Sequence, residues 1–467
     1  MTIGLTALTA LELLAGYRSH AFSPVEVLQA VLERLEEVQP HLNAFRLVDP
    51  EVGMAMARAS EARWQAGAPC GSLDGVPISI KDTNLTKGWS TLLGSLTVVP
   101  NQAWEADQPV VARLRSHGAV FMGKTTTPEF GWKGLTDSPL TGITRNPWNP
   151  SRTPGGSSGG AVVAVATGIG PLATGGDGGG SIRIPCGFTG VFGLKTTYGL
   201  VPNLPSSLGT MAVAGPIGRS VRDCAIMLRA TSEPDPRDPF ALPYRDVDYL
   251  DGIEGGVAGM RIAVSPSLGF PACEPAIAAA FSAACHVFAE LGAIVEEVDI
   301  DLSWSREAMD IIWRAGFAES LLSLPAHQLR LVEPALLDTA ISADVLSARS
   351  LQHAFQDRIR LSRQMQDFHQ RYNLLLTPTL PIAAFEVGQL TPDPVRYPKW
   401  YDWTPFTWPF NLSRQPAASC PCGLTPDGLP VGLQIVGPVY GDAIVLRASR
   451  AFEIARPFPG WHRDNRR

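Results

Sequence analysis

The chain has 467 residues, of which 45% are apolar and 18% are charged, a balance typical of a compact globular protein with a large core. The net charge is −6 and no run of Lys or Arg forms a basic stripe, so nucleic-acid binding has little support. The locally basic tail, residues 462–467, is better explained as an unpacked terminus. The longest apolar run, residues 161–173, is short for a membrane span and predicts a buried helix, so we expect no membrane association.

The N-terminus and the cysteines indicate a cytoplasmic protein. Residues 1–21 lack the positively charged start of a signal peptide and predict an amphipathic helix instead. The seven cysteines are odd in number, scattered and without a CxxC pair, which predicts reduced thiols in a reducing compartment. Because no HExxH motif or histidine cluster is present, we expect no catalytic metal, and nothing else calls for a cofactor.

The first predicted elements are helices. Ser23 and Glu26 form a capping box with Pro24 at the first helical position, and a second helix is predicted over residues 50–65. Short buried strands then follow at residues 76–80, directly before Lys81, and at residues 119–122.

The second half repeats this mixture of strands and helices. Strands at residues 260–264 and 293–298 flank a helix, which is a βαβ signature, residues 304–372 are helical, and buried strands follow at 374–376 and 431–436. The pattern predicts an α/β fold with a mixed β-sheet surrounded by helices. We expect one domain over residues 1–467 with four regions: a helical N-terminal region (1–70), a catalytic core (71–230), a helical elaboration (231–380) and a C-terminal return to the core (381–467).

The glycine-rich segment at residues 175–181 carries the clearest chemical signal. Five glycines crowd around Asp177 and lead into Ser181, although glycine loses more entropy on ordering than any other residue. Such a segment is justified where backbone N–H groups approach a ligand closely, as in an oxyanion hole or an anion nest. Gly178, Gly179, Gly180 and Ser181 are the candidate donors. The alternative is a glycine-rich turn packed under a helix.

Two other motifs are weaker. Residues 155–160 contain G-x-S-x-G centred on Ser157 and on Ser158, the pattern of a nucleophile elbow, but no later histidine lies in a predicted loop as that triad requires. Residues 118–125 fit the phosphate-loop pattern G-x-x-x-x-G-K-[ST]. Their intervening residues are apolar, so a strand running into a turn is the better prediction.

A serine nucleophile without histidine needs another base, and Lys81 is the remaining candidate. The lysine follows an apolar strand, and burial can lower its pKa from about 10.4 by up to about 3–5 units. Taken alone, a lysine at a strand end is usually a surface residue, so the case for Lys81 depends on its combination with the serine segments.

In combination, these segments resemble the amidase signature family. The similarity covers nearly the whole chain, with its most specific part in the Ser- and Gly-rich stretch at residues 154–185. The resemblance implies a catalytic set in which Ser181 is the nucleophile, Ser157 is a bridging serine preceded by a cis peptide bond, and Lys81 is the base. It further implies that the N–H groups of residues 178–181 hold the oxyanion. Four neighbours are expected to support this set: Ser158, Asp82, Asp177 and Arg183.

The family resemblance also limits the reaction. It implies hydrolysis of amide-type C–N bonds in a small molecule (an amide, an anilide or a carbamate, the last being a urethanase activity) by a monomer or homodimer. The alternative is the glutaminase component of a tRNA-dependent amidotransferase complex. That group typically has Gln where this chain has Ile184, and an apolar residue there favours a stand-alone enzyme acting on an uncharged substrate.

Some positions depart from the family or stay open. Gly176 and Gly178 stand where the family usually has larger residues, and Val162 stands where it usually has a small one. The glycines are expected to loosen the oxyanion loop and widen the pocket floor. The aromatic segment at residues 400–410 either lines a pocket for aryl groups or packs in the core.

Overall fold

The computed structural model describes residues 4–458 and 460. Thirteen strands are present in these residues, and they are β1 Phe45–Val48, β2 Pro77–Lys81, β3 Val120–Thr125, β4 Asp137–Ser138, β5 Gly142–Ile143, β6 Leu172–Asp177, β7 Phe192–Lys195, β8 Val213–Gly218, β9 Arg261–Val264, β10 Ile294–Glu297, β11 Leu374–Pro378, β12 Ala417–Leu424 and β13 Pro430–Val436.

The α-helices of the same residues are α1 Ala10–Arg18, α2 Pro24–Leu42, α3 Pro50–Gln65, α4 Pro109–Ser116, α5 Gly159–Ala166, α6 Arg183–Thr189, α7 Val221–Thr231, α8 Pro275–Glu290, α9 Arg306–Leu321, α10 Ala326–Leu329, α11 Pro334–Ile341, α12 Ala348–Phe368, α13 Pro409–Leu412 and α14 Asp442–Ala455. Short 3₁₀ segments lie at Leu5–Ala7, Glu129–Gly131, Ser303–Ser305, Ser342–Val345 and Trp400–Asp402. Within the described residues, no helix is both long enough and apolar enough to cross a membrane.

One mixed sheet organises the fold. Its strand order is β1-β3-β2-β6-β8-β7-β12-β13-β11-β9-β10, and β4 pairs with β5 separately. This confirms the predicted α/β class with a mixed sheet surrounded by helices. All four predicted regions contribute strands to the sheet, from β1 in the first to β12 and β13 in the last. That continuity supports the single-domain interpretation, which stays a prediction.

The N-terminal helices follow the capping signals. The Glu26 N–H donates to Ser23 Oγ (3.2 Å) and the Ser23 N–H donates to the Glu26 carboxylate (2.8 Å), so the predicted capping box is confirmed. The helix predicted at residues 50–65 is α3. The helix predicted over residues 1–21 is shorter than expected, since α1 begins only after Thr9, and residues 1–3 lie outside the described residues.

The apolar run at residues 161–173 is not one helix, contrary to the prediction. Helix α5 ends at Ala166, and the chain then turns through Gly168 and Gly170, whose φ values are 84° and 78°. Strand β6 begins at Leu172, directly after Pro171. Two left-handed glycines and a proline therefore divide one buried run into a helix and a strand.

Other strands carry no clear sequence signal. The βαβ unit β9-α8-β10 is present with parallel pairing, as predicted. Strands β1, β7, β8 and β12 are not predicted by the alternation of apolar residues, partly because Gly and Pro interrupt them, as at Gly215 and Pro216 in β8. They complete the sheet on both sides of the segment that carries the glycine loop.

The parallel strands β3, β2 and β6 position the candidate site. Strand β2 pairs with both neighbours in parallel, so the carboxyl ends of the three strands lie at the same edge of the sheet. Lys81 is the last residue of β2 and Asp177 the last of β6. The crevice outside the carboxyl ends of parallel strands is where open α/β sheets bind ligands.

Candidate active site

Lys81 reaches two serine hydroxyls in the interior. Its side chain is buried, with Nζ 2.7 Å from Ser157 Oγ and 2.9 Å from Ser158 Oγ. The Gly156–Ser157 peptide bond is cis, which confirms that expectation. A β-carbon at Gly156 would stand 2.0 Å from the carbonyl oxygen of Leu135, so only glycine fits immediately before Ser157. Backbone packing therefore fixes this serine opposite the lysine.

The environment of Lys81 favours the neutral amine. Burial lowers the pKa of Lys81 to about 7, although the nearby negative charge of Asp177 opposes this shift. The backbone N–H of Lys81 donates to Thr174 Oγ1 (2.8 Å), and this contact ties the end of β2 to β6. A lysine with a pKa near 7 has a large neutral fraction at physiological pH and can accept a proton from a hydroxyl.

Ser181 faces the same cavity as Lys81 and Ser157. The cavity has a volume of about 640 Å³, and all three residues line it. The N–H of Ser158 donates to the carbonyl oxygen of Ser181 (3.1 Å), which joins the two serine segments directly. Among the hydrogen bonds of residues 4–458, none joins the hydroxyls of Ser157 and Ser181. The sequence-predicted set is thus brought to one cavity, while the contact between these two hydroxyls is not formed.

The glycine loop presents free backbone donors. In the described part of the chain, the N–H groups of Gly178, Gly179 and Ser181 have no hydrogen-bond acceptor. Gly180 differs from the prediction, because its N–H donates to Asp177 Oδ1 (2.8 Å) and is not free. Gly180 instead serves the loop's shape: its φ is 131°, and a β-carbon there would stand 2.4 Å from Thr407 Oγ1. The candidate anion nest therefore has three free donors.

Asp177 and Arg183 form a fully buried ion pair behind this loop. Arg183 NH2 lies 2.9 Å from Asp177 Oδ1, and Asn411 donates to the same oxygen (2.9 Å). Burial alone would raise the pKa of Asp177, but the positive charge and hydrogen bonds of Arg183 outweigh it and hold the pKa well below its usual range. Arg183 also donates to Gln434 (2.8 Å). Neither amide residue was a candidate from the sequence, since their only signal is a polar side chain in an otherwise apolar segment.

Asp82 does not contact the Lys81 side chain. Its carboxylate pairs with Arg46 (2.8 Å) and lies 4.0 Å from the Nζ of Lys124. Lys124 belongs to the phosphate-loop-like segment, which forms strand β3 as predicted, and its Nζ donates to Thr86 and Thr91. Asp82 therefore belongs to a neighbouring buried cluster that holds the loop after β2.

The walls of the cavity carry little charge. Among the described residues that line it, only Lys81 and Asp177 are ionisable side chains. The apolar part of the wall consists of Leu85, Leu93, Val98, Trp104, Phe130, Leu204, Pro205, Leu208, Ala212, Val213, Ala214 and Trp313. A cavity of this size and composition suits a small uncharged molecule.

Two sequence-based ideas about substrate contacts are not supported. The aromatic segment at residues 400–410 packs in the core: Trp400 and Trp403 are buried, and Trp403 stacks on Phe188 with ring centroids 5.9 Å apart. None of its residues lines the cavity. Ile184 is also fully buried and lies behind the loop near Gly155 and Gly180, so it does not act on a substrate directly.

A buried lysine beside serine hydroxyls, with free backbone N–H groups in the same cavity, is a site suited to acyl transfer through a serine. The sequence profile of the family described as Amidase matches residues 26–446. The chain therefore belongs to the amidase family and is a hydrolase of amide C–N bonds.

Known relatives span the same length. The chain is 38% identical over 459 residues to an acylamidase of Rhodococcus erythropolis, covering 97% of this chain and 96% of the relative. It is 35% identical to a glutamyl-tRNA(Gln) amidotransferase subunit of Myxococcus xanthus, covering 97% and 98%. The crystal structure of a bacterial aryl acylamidase of the amidase signature family superposes with a TM-score of 0.90 at 30% identity, covering 97% of each chain.

Proposed function

We propose that this protein is a stand-alone amidase that hydrolyses small uncharged amides with apolar substituents through an acyl-enzyme on Ser181. The observation that carries the proposal is the cavity wall, in which the described residues offer no ionisable side chain besides Lys81 and Asp177. Asp177 is already paired with Arg183. Among the described residues, a charged substrate would therefore lose hydration in this cavity without meeting an unpaired carboxylate or guanidinium group.

The proposed mechanism is a proton relay. Neutral Lys81 takes the proton of the Ser157 hydroxyl, which takes the proton of Ser181 as Ser181 Oγ bonds to the carbonyl carbon. The free N–H groups of Gly178, Gly179 and Ser181 stabilise the oxyanion. When the C–N bond breaks, the proton returns through Ser157 to the leaving nitrogen. Water then attacks the acyl-enzyme by the same route and releases the acid.

Asp177, Arg183 and Ser158 support this relay. The buried pair of Asp177 and Arg183 fixes the loop that presents the N–H groups, since Asp177 also accepts from the backbone of Gly180. Ser158 accepts a second hydrogen bond from Lys81 and orients its amine. Asp82 acts at a distance, through the loop that follows β2.

The names of two relatives support amides with apolar groups as the substrates of this protein. One is named an acylamidase and another an aryl acylamidase. Anilides are therefore the first substrates to test, and aryl carbamates are the second, since they also have a carbonyl carbon bonded to nitrogen. The free thiols of all seven cysteines support a cytoplasmic location, and we propose that the enzyme acts as a monomer or homodimer.

The glutaminase component of an amidotransferase remains a second candidate because of the 35% identity to such a protein. Glutamine carries both an ammonium and a carboxylate at its α-carbon. Among the described residues of the cavity wall, the polar side chains besides Lys81 and Asp177 are neutral, so neither charge meets an unpaired carboxylate or guanidinium group. We therefore place this function second.

The test is a panel of four substrates: a 4-nitroanilide, an aryl carbamate, an aryl ester and L-glutamine. We expect the nitroanilide to be hydrolysed with mass-spectrometric trapping of an acyl group on Ser181, and Ser181→Ala to lose both signals. Turnover of glutamine alone would overturn the proposed substrate class. An active Ser181→Ala variant, or an acyl group on another residue, would overturn the mechanism.

A further inference from the structure

Two apolar residues of the catalytic cavity have a left-handed backbone. The described residues include seven non-glycine residues with positive φ, and they are His20, Asn43, Leu93, Phe130, Leu268, Arg414 and Tyr440. Of these, only Leu93 and Phe130 line the cavity that contains Lys81, Ser157 and Ser181. Leucine and phenylalanine have no side-chain group that stabilises this conformation locally, as asparagine or aspartate does.

The two residues belong to paired turns. Leu93 (φ 56°) is followed by Gly94 (φ 66°), and Phe130 (φ 51°) is followed by Gly131 (φ 68°). The N–H of Phe130 donates to the carbonyl oxygen of Leu93 (2.7 Å), which joins the turns directly. A β-carbon at Gly94 would stand 2.5 Å from the carbonyl oxygen of Thr127, so the turns are packed backbone to backbone.

A buried carboxylate holds the paired turns together. Glu129, next to Phe130, accepts from Ser95 Oγ (2.6 Å) in the other turn. The same carboxylate accepts from the N–H of Glu333 (2.6 Å) at the start of α11. The backbone positions of Leu93 and Phe130 are therefore fixed by contacts that their neighbours make.

Core packing accounts for only part of the two side chains, because Phe130 packs against the buried cluster that contains Trp132 but also lines the cavity. Leu268, which has a similar φ of 50°, is fully buried, so its burial explains why a leucine is kept there. Leu93 and Phe130 are only half-buried and face the cavity. Glycine would adopt both backbone conformations without strain, yet larger apolar residues are present. Strained residues of this kind cluster at ligand-binding sites.

The position of the second turn identifies the part of the substrate that it meets. A β-carbon at Gly131 would stand 3.2 Å from Ser157 Oγ, so the backbone after Phe130 lies against that hydroxyl. In the mechanism proposed above, Ser157 returns the proton to the leaving nitrogen. The leaving amine must therefore lie beside this turn while the C–N bond breaks.

We infer that Leu93 and Phe130 form the binding wall for an apolar group on the leaving amine, and that they make the enzyme selective for amides of aromatic or bulky amines. This inference rests on the proposed function of Ser157. The strained conformation keeps both side chains in the cavity, where they contact the substituent on nitrogen rather than the acyl chain.

The test uses two substrate series with Leu93→Gly and Phe130→Gly. In the first series the acyl group is acetyl and the amine changes from aniline to methylamine; in the second the amine is aniline and the acyl group changes from acetyl to hexanoyl. We expect each variant to reduce the anilide-to-methylamide ratio of kcat/KM by about 10-fold or more, the usual effect of losing apolar contacts in a pocket. The hexanoyl-to-acetyl ratio should stay within about 3-fold of the parent enzyme.

Tyr440→Gly is the matched control. Tyr440 has a φ of 69°, is 63% exposed and does not line the cavity, so this change should leave both ratios unaltered. If a glycine variant does not fold, Phe130→Asn keeps a left-handed residue with a β-carbon and removes the ring, and its ratios decide the matter.

A change in the acyl ratio, or an equal loss with every substrate, would overturn the inference while leaving the amidase mechanism intact. Failure of the proposed function would look different, because the parent enzyme itself would then form no acyl-enzyme with any amide.

Discussion

Two buried lysines in one sheet show how similar surroundings produce different roles. Lys81 ends β2 and Lys195 ends β7, and both side chains are almost fully buried. Burial lowers the pKa of each lysine to about 7, and in both cases the negative charge of Asp177 opposes the shift. Burial and pKa alone therefore do not distinguish them.

Their hydrogen-bond partners do. Lys81 contacts the hydroxyls of Ser157 and Ser158, which carry protons that can move, and it lines the cavity. Lys195 donates to the backbone carbonyls of Thr196 (2.8 Å) and Gln415 (2.5 Å), which have no proton to give, and it does not line the cavity. A lowered lysine pKa indicates a base only where the amine meets a proton donor and a substrate.

The largest expected difference between the two lysines is in catalysis. Lys81→Met should reduce kcat/KM for a nitroanilide by about 10⁴-fold, because a nucleophile and its base act as a unit. Lys195→Met should retain activity within about 10-fold when assayed at low temperature, since its amine touches no reacting group. Steady-state kinetics on both purified variants measures the contrast. A Lys81→Met enzyme with more than a hundredth of the parent rate would remove the lysine from the mechanism.

The stability of the same variants should differ, because the two lysines have different hydrogen-bond partners. Lys195→Met leaves two buried carbonyls unpaired, which should cost about 2–6 kcal/mol of folding free energy at about 1–3 kcal/mol for each unsatisfied group. Lys81→Met removes hydrogen bonds only from the hydroxyls of Ser157 and Ser158. The Ser158 hydroxyl already donates to another partner, the carbonyl oxygen of Gly176 (3.3 Å).

The pKa of Lys81 decides how loss of its amine changes the free energy of unfolding. The folded-state pKa is about 7 and the ordinary pKa of lysine is 10.5, so between these pH values the unfolded chain binds the extra proton and unfolding is favoured. Both substitutions remove this destabilising contribution, because the pKa of Lys195 is also lowered to about 7. The two variants should therefore differ by the carbonyls that Lys195→Met leaves unpaired, and Lys81→Met should be the more stable of the two at pH 8. Urea unfolding of both variants at pH 8 tests the pair of predictions, and a Lys81→Met protein less stable than Lys195→Met would contradict them.

The sequence predicts the catalytic half of this comparison better than the structural half. Lys81 and Ser181 stand out because each is linked to a distinctive feature, a strand end or a run of glycines. Lys195 has no such feature, because its partners are backbone carbonyls, and one of them, Gln415, lies 220 residues away. A contact to a main-chain atom far away in the sequence does not require a particular residue type, so the sequence does not reveal it.

Residue type alone also explains why the fold predicted for residues 161–173 is wrong. The buried run at residues 161–173 was predicted as one helix because apolar composition alone does not distinguish a helix from a strand when both are buried. At the glycine loop, the sequence does not show that the Gly180 N–H is taken by Asp177, and the role of the free N–H groups of Gly178, Gly179 and Ser181 stays a prediction. Element types near caps and turns are thus predictable, while individual hydrogen bonds at the site are not.

The pH dependence of catalysis should follow Lys81 and not Lys195. The protonated form of Lys81 cannot accept a proton, so kcat/KM should fall about tenfold per pH unit below about pH 7 and level off above it. Lys195→Met should leave this acidic limb of the pH profile unchanged, although the pKa of Lys195 in the parent enzyme is lowered to a similar value. Profiles of kcat/KM with an amide substrate between pH 5 and 9 measure this limb, and a rate that still rises about tenfold per pH unit at pH 9 would show that burial does not neutralise the catalytic amine.

The smallest expected effect is that of Ser158, one of the two serines whose hydroxyls Lys81 contacts. The Ser158 hydroxyl lies 2.9 Å from the Lys81 amine, but Ser158 does not line the cavity. Ser157 contacts the same amine and also lines the cavity. Ser158→Ala should therefore reduce kcat by about 2- to 13-fold, equivalent to one hydrogen bond of about 0.5–1.5 kcal/mol, with KM unchanged. Ser157→Ala should reduce kcat by about 10³-fold or more, because it breaks the relay itself. Similar losses of kcat in both variants would contradict this prediction. They would mean that contact with Lys81 is enough to make a serine part of the mechanism, whether or not that serine lines the cavity.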